Sequence, residues 1–139
     1  PEALLRLQRR EYYRLSTPVA NPIRCKMTVR RPEGSAAVNL PLLDISGGGI
    51  GLMLDPGLEE DFPVGAEFAE CRIDLPDEGL LVCNLIVRNA FEVTTRGGGH
   101  HYRRVGCEFV DLPGTRLTMI QRYITRIERE RKARMSGMG

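Results

Sequence analysis

The sequence predicts a mainly β protein, a six-stranded antiparallel β-barrel followed by one C-terminal α-helix. Three observations support this fold class. Short segments alternate between apolar and polar residues, as strands with one buried face do. Clusters of Gly and Pro separate these segments, and no helical pattern lies between them. Only the last segment has apolar residues at helical spacing. A chain of 139 residues is long enough for one such domain.

The six predicted strands follow one another at short intervals. The first covers residues 23–30, and its apolar side chains share one face: Ile23, Cys25, Met27 and Val29. The remaining five are predicted at 37–46, 49–54, 66–75, 80–93 and 103–112. A glycine-rich connection between the last two is typical of a hairpin tip. Strands in such an order, with turns between them, favour an antiparallel barrel.

The end of the chain changes period. Apolar residues recur there at spacings of three and four: Leu117, Ile120, Ile124 and Ile127. This pattern predicts an amphipathic helix over about 115–132 that packs on the barrel. We therefore divide the chain into an N-terminal Arg-rich arm (1–17), a barrel with its helix (18–134) and a disordered tail (135–139).

Composition narrows the classes of function. Residues 1–14 carry four Arg against two Glu, residues 115–139 seven Lys/Arg against two Glu, and the rest nine Lys/Arg against fourteen Asp/Glu. An acidic body with basic ends differs from a broad nucleic-acid-binding surface and fits an arm that meets a small anion. No apolar run approaches the ~20 residues of a membrane span. The four cysteines lack CxxC spacing, so we expect reduced core thiols and a cytoplasmic protein.

Catalytic constellations are absent from the sequence. The two histidines, His100 and His101, are adjacent in a glycine-rich loop with no third metal ligand near them. Ser46 has no nucleophile elbow around it. The glycines that follow it are not a phosphate loop, since no Lys-Ser/Thr comes after them. We expect a binding module with no metal and no catalytic cofactor rather than an enzyme.

Two short segments have the character of a binding site. The first, "LQRREYYRLSTP", contains Arg9, Arg10 and Arg14, and the second, "DISGGG", contains Asp44, Ser46 and Gly49. Each alone is typical of a solvated face or a turn. Together they suit an anionic nucleotide that carries guanine. Arginine matches phosphate oxygens and the O6/N7 edge of guanine, and aspartate accepts from guanine's N1 and N2 donors. Glycine lets backbone N–H groups approach a phosphate.

These segments resemble the paired signature of the PilZ domain, the bacterial receptor module for cyclic di-GMP. The RxxxR motif is matched by Arg10 and Arg14, and the (D/N)xSxxG motif by Asp44, Ser46 and Gly49. The resemblance covers about residues 8–128 and implies a split six-stranded barrel with a C-terminal helix. It also implies that the two arginines grip guanines and phosphates. Asp44 and Ser46 would contact a guanine and nearby phosphates, while Gly49 would permit close approach.

Further expectations concern the arm and the output. Arg9, just before RxxxR, could stack on a second guanine, so we expect two cyclic di-GMP per chain. The chain begins at Pro1 rather than Met, which suggests that an upstream part is missing, and the resemblance implies that this part is another domain. Ligand binding would fold the arm over the barrel and reposition that domain.

The output would be motility or exopolysaccharide and biofilm formation, through the flagellar motor or a polysaccharide synthase. The alternative is a small β-barrel that binds RNA or single-stranded DNA. Gly47, Gly48 and Gly51 are expected to serve strand bending and barrel closure.

Overall fold

The computed structural model describes residues 14–18, 22–94 and 101–138, with side chains as far as residue 134. It contains seven strands, a short 3₁₀ turn at Glu59–Asp61 and one helix. The strands are β1 (Leu15–Ser16), β2 (Arg24–Arg31), β3 (Gly34–Ile45), β4 (Gly49–Leu54), β5 (Glu67–Leu75), β6 (Gly79–Thr94) and β7 (His101–Val110), and the helix is α1 (Gly114–Met138).

Six of these strands form a closed antiparallel barrel. The strand order is β1-β3-β2-β5-β6-β7-β4, and a further pairing of β3 with β4 closes the ring from β2 to β7. The seventh strand, β1, lies outside the ring and pairs only with the end of β3. The predicted six-stranded barrel with a C-terminal helix is thus confirmed, and β1 is an addition within the segment that we assigned to the arm.

The alternating pattern places one face of each strand in the core. On β2, Cys25, Met27 and Val29 are buried, whereas the residues between them are exposed. The helix adds Ile120 and Tyr123 to the same core cluster, at 0% and 1% exposure. Complete burial of an apolar side chain of this size stabilises the fold by about 1.5–3 kcal/mol. The apolar stripe of the helix thus packs on the barrel, as predicted.

The helix is longer than the predicted range of about 115–132. It begins at Gly114 and continues to Met138, so that residues 135–138, which we assigned to a disordered tail, are helical. The segment that leads into them, Lys132–Arg134, contains good helix formers and no proline interrupts it. An amphipathic stripe marks only the part of a helix that packs, and no side chain of residues 128–134 is fully buried.

All four cysteines are buried and none forms a disulfide. Removal from water disfavours the thiolate, and this raises the pKa of both Cys83 and Cys107 to about 12. At neutral pH these thiols are protonated apolar groups of the core, as the sequence predicted.

Closure of the barrel requires a close approach between β4 and β7. Gly49 pairs with Glu108, and the amide of Phe109 donates to the carbonyl of Gly48 at 3.0 Å. A Cβ at Gly49 would overlap the carbonyl oxygen of Cys107 on β7. Glycine is thus needed here so that the two backbones can pair at all.

Substitution of this glycine tests the closure. Gly49→Ala should lower the free energy of unfolding by about 1–3 kcal/mol, because the added methyl group has no space beside a backbone carbonyl. Gly114→Ala is the matched control, since open space surrounds its Cβ position. The control should leave stability unchanged or raise it by up to about 1 kcal/mol. Urea denaturation of both variants measures the effect, and equal stability of the two would contradict it.

Candidate functional site

The C-terminal end of β3 has a partner strand on each side, and this arrangement builds the site. On one side Ser16 of β1 pairs with Asp44, and on the other side Gly51 of β4 pairs with the same residue. Arg14 directly precedes β1, two positions before the Ser16 that pairs with Asp44, so its side chain can reach the carboxylate. Its Nη1 donates to Asp44 Oδ1 at 2.6 Å. Residues from the two sequence motifs thus meet in one ion pair, although 30 positions separate them.

A third strand supplies a second arginine to the same carboxylate. Arg104 of β7 donates from Nη1 to Asp44 Oδ2 at 2.8 Å and from Nη2 to Oδ1 at 3.3 Å. Its side chain is 18% exposed, compared with 53% for Arg14. Asp44 therefore holds one partly buried guanidinium group through two hydrogen bonds and one exposed guanidinium group through a single bond.

Gly51 provides the space for Arg104. A Cβ at Gly51 would overlap the Arg104 guanidinium group, which lies against the β4 backbone at this point. The Phe91 ring lies on the same guanidinium group, 6.0 Å from Cζ to ring centroid, at the distance of a weak cation–π contact. We expected Gly51 to serve strand bending, whereas the structure supplies a different reason for glycine there.

Ser46 organises the turn that joins β3 to β4. Its hydroxyl oxygen accepts from the amides of Gly48 and Gly49 at 3.1 and 3.2 Å, and its own amide donates to the carbonyl of Gly49 at 2.9 Å. The residue is only 3% exposed. Such a serine turn fixes the backbone locally. Direct contact of Ser46 and Gly49 with a ligand stays a prediction.

A cavity of about 650 Å³ opens beside this turn. Its lining includes three arginines, Arg14, Arg88 and Arg104, together with the serine turn and Glu108. Arg88 and Glu108 form an exposed ion pair at 3.0 Å. These three arginines pair with only two carboxylates, Asp44 and Glu108, so the group has a net positive charge, which favours an anion in the cavity. A volume of this size lies in the range of small-molecule sites, ~300–1,000 Å³.

The predicted site residues divide into two groups. Arg14, Asp44, Ser46 and Gly49 lie together around the cavity or its ion pair. Arg9, Arg10 and His100 lie outside the described residues, and His101 is an exposed residue of β7. Within residues 14–18, 22–94 and 101–138, no cluster of three His, Cys, Asp or Glu could hold a metal ion. The helix that the structure describes is not apolar enough to cross a membrane.

Sequence reasoning missed Arg104. It lies in the strand predicted at 103–112, 60 residues from Asp44, and nothing local distinguishes it from other polar strand residues. Only the pairing of β4 with both β3 and β7 brings it to the carboxylate. The one local indication in the sequence is Gly51, because a glycine inside a strand often marks a place where another group lies close to the backbone.

This fold and site define a small β-barrel domain with an arginine-lined cavity at the junction of the segment before β1 and a glycine-rich turn. The model of the PilZ domain matches residues 8–126, and the chain belongs to the PilZ domain family.

Flagellar brake proteins are among the similar sequences. The chain is 50% identical over 139 residues to flagellar brake protein YcgR 1 of Dechloromonas aromatica, covering 99% of this chain and 52% of that protein. It is 45% identical over 140 residues to flagellar brake protein YcgR of Azoarcus sp., with the same coverage of 99% and 52%. The chain therefore spans about half the length of these relatives.

Solved structures share the fold at lower identity. The PilZ domain with c-di-GMP of YcgR from Escherichia coli matches with a TM-score of 0.77 and 23% identity, over 93% of this chain and 98% of that one. The K. pneumonia MrkH–c-di-GMP complex matches with a TM-score of 0.76 and 22% identity, over 90% of this chain and 54% of that one.

The contact between Gly51 and Arg104 can be tested by a double-mutant cycle. Gly51→Ala alone should cost about 1–3 kcal/mol of stability, because the methyl group displaces the guanidinium group from Asp44. In an Arg104→Ala background the same methyl group meets no guanidinium group, so its cost should largely disappear. We expect a coupling energy of about 1 kcal/mol or more in urea denaturation. Additive effects would contradict the proposed packing.

Proposed function

We propose that this domain is a cyclic di-GMP receptor that acts by binding and not by catalysis. Membership of the PilZ family supports the proposal, as do the solved complexes of similar fold with c-di-GMP. The observation that carries it is the Asp44 carboxylate, held between Arg14 and Arg104 at an arginine-lined cavity of about 650 Å³. This carboxylate is an acceptor for the N1 and N2 donors of a guanine, and the arginines compensate the two phosphate charges.

The two arginines would have different roles on ligand binding. Arg14 is largely exposed and makes one bond, and exposed ion pairs contribute only ~0–1 kcal/mol. A guanine edge can therefore replace Arg14 at Asp44 at little cost, which frees the guanidinium group for a phosphate or for the O6/N7 edge. Arg104 is more buried and makes two bonds, so it would stay and keep the carboxylate oriented.

We assign the remaining sequence motif to the same site. Arg10 would contact guanines and phosphates beside Arg14, and residues 1–17 would close over the barrel as an arm. Ser46 would hold the turn against the ligand, and Gly49 would let β4 lie close to it. The arm would then transmit binding to an upstream domain.

We propose that the protein acts in the cytoplasm and that its output is the control of motility. The names of the similar sequences, flagellar brake proteins, support this output. The flagellar motor would be the partner, and control of exopolysaccharide or biofilm through a polysaccharide synthase is the second possibility. Binding of RNA or single-stranded DNA is not favoured, because Phe91 is the one strongly exposed aromatic side chain in the described part of the chain.

Substitution at the two arginines tests the ligand assignment. Arg14→Ala and Arg104→Ala should each weaken cyclic di-GMP binding by about ten- to hundredfold. The first variant loses a direct contact, and a good bidentate guanine contact is worth ~1–3 kcal/mol. The second variant loses the group that orients the Asp44 carboxylate towards the guanine. Arg103→Ala is the matched control, because Arg103 is the neighbour of Arg104 on β7 but pairs with Glu92. Titration calorimetry gives the affinities. Wild-type protein that does not bind, or equal affinity in all three variants, would contradict the assignment.

Arg9 tests the stoichiometry. We propose that an intercalated pair of cyclic di-GMP molecules binds each chain, with Arg9 stacked on the second guanine plane. The wild type should then bind about two ligands per protomer by titration calorimetry, and Arg9→Ala should bind one. One ligand per protomer in the wild type would reject the pair while leaving the receptor function intact.

A further inference from the structure

Three cations lie together on the outer surface of the barrel, away from the nucleotide cavity. Arg24 and Lys26 project outward from β2, and Arg72 projects outward from β5. Lys26 and Arg72 are direct cross-strand partners. Like charges in this position repel each other and destabilise a sheet. This pair therefore does not stabilise the barrel, and we look for its role in the binding of another molecule.

Four other cations of the barrel strands have acidic partners. Ion pairs join Arg31 to Asp61, Arg88 to Glu108, Arg103 to Glu92 and Arg104 to Asp44. In contrast, Arg24, Lys26 and Arg72 make no ion pair with any residue in the described part of the chain, although Asp74 lines the same groove. The charges of these three side chains are thus left available to another molecule.

The cations line a groove of about 530 Å³, which we call the basic groove. Asn39 adds an amide to its wall, and its apolar lining consists of Pro22, Ile23, Pro76 and Leu80. Leu80 is 50% exposed, one of three large hydrophobic side chains with high exposure among the described residues. An unpaired cationic rim therefore adjoins an exposed apolar contact.

The basic groove and the nucleotide cavity lie on different parts of the barrel. The cations of the groove lie on β2 and β5, whereas the cavity is lined by β4, β7 and the far part of β6. In the strand ring β3 separates β2 from β4, and β6 separates β5 from β7. The two linings have no residue in common. A molecule in the groove would leave the cavity open to its own ligand.

We propose that the basic groove docks an acidic segment of a partner protein. Carboxylates of the segment would bind Arg24, Lys26 and Arg72 and relieve the repulsion between the last two. An apolar side chain of the same segment would pack on Leu80 and Pro76. A nucleic acid fits less well, because the lining has no aromatic ring for a base and Asp74 would face the phosphates.

A pair of peptides tests this docking on the ¹⁵N-labelled chain. The first peptide alternates Asp or Glu with Leu over twelve residues, and the second carries Asn or Gln in place of every acid. The acidic peptide should shift amide signals around Lys26, Arg72 and Leu80, and raising the salt concentration should weaken this effect. The neutral peptide should leave the signals in place. No shift at the groove, or equal shifts with both peptides, would overturn the proposal.

Variants separate the groove from general charge effects. Lys26→Gln with Arg72→Gln should weaken acidic-peptide binding about fivefold or more. Leu80→Asn, a single change with the cations intact, should weaken it too.

Arg122→Gln with Lys132→Gln removes the same charge from exposed positions of α1 and should have no effect. Equal losses in the groove and helix variants, or tighter binding of a twelve-nucleotide oligonucleotide at the groove, would contradict an acidic protein segment. Cyclic di-GMP affinity should be the same in all these variants, which verifies their fold.

Discussion

The carboxylate of Asp44 is the point at which the fold and the site depend on each other. Three strands converge on it. β3 carries it, β4 pairs beside it, and β7 reaches it through the Arg104 guanidinium group. The outer strand β1 then brings Arg14 to the remaining side. Because one anion is shared by two cations from distant parts of the chain, the barrel has to close correctly before the site exists. The arrangement of charged groups around Asp44 therefore depends on closure of the barrel.

The glycines in and directly after the second motif have separate structural tasks. Gly49 allows β4 to pair with the β7 backbone, and Gly51 leaves room for the Arg104 guanidinium group. The amide of Gly48 is held by the Ser46 hydroxyl. A motif that looks like a ligand-binding loop thus also specifies how β4 enters the barrel. Loss of one glycine would disturb both the fold and the cavity, which explains why so many occur in one short segment.

Much of this architecture could be predicted from the sequence because burial leaves a local pattern. Alternation on β2 and the apolar stripe of α1 each need only a window of a few residues. Arg104 could not be recognised in this way. Its function depends on a partner 60 positions away, and strand order in a barrel is not encoded in the alternation of any single strand. Guanine and phosphate chemistry, together with the family resemblance, assigned Arg14 and Asp44 to one ligand site, but neither predicted that the two side chains pair with each other. The roles of Arg9 and Arg10 stay predictions, since both lie outside the described residues.

The most direct test of the central claim is the affinity of cyclic di-GMP for the wild type and for Asp44→Ala, measured by titration calorimetry under one set of salt conditions. If Asp44 is the guanine acceptor and also orients Arg104, its removal should weaken binding by at least about tenfold, or ~1.4 kcal/mol. A circular dichroism spectrum should verify that the variant keeps its β-barrel. Equal affinity of the folded variant and the wild type would contradict the account, because the carboxylate on which three strands converge would then have no part in recognition.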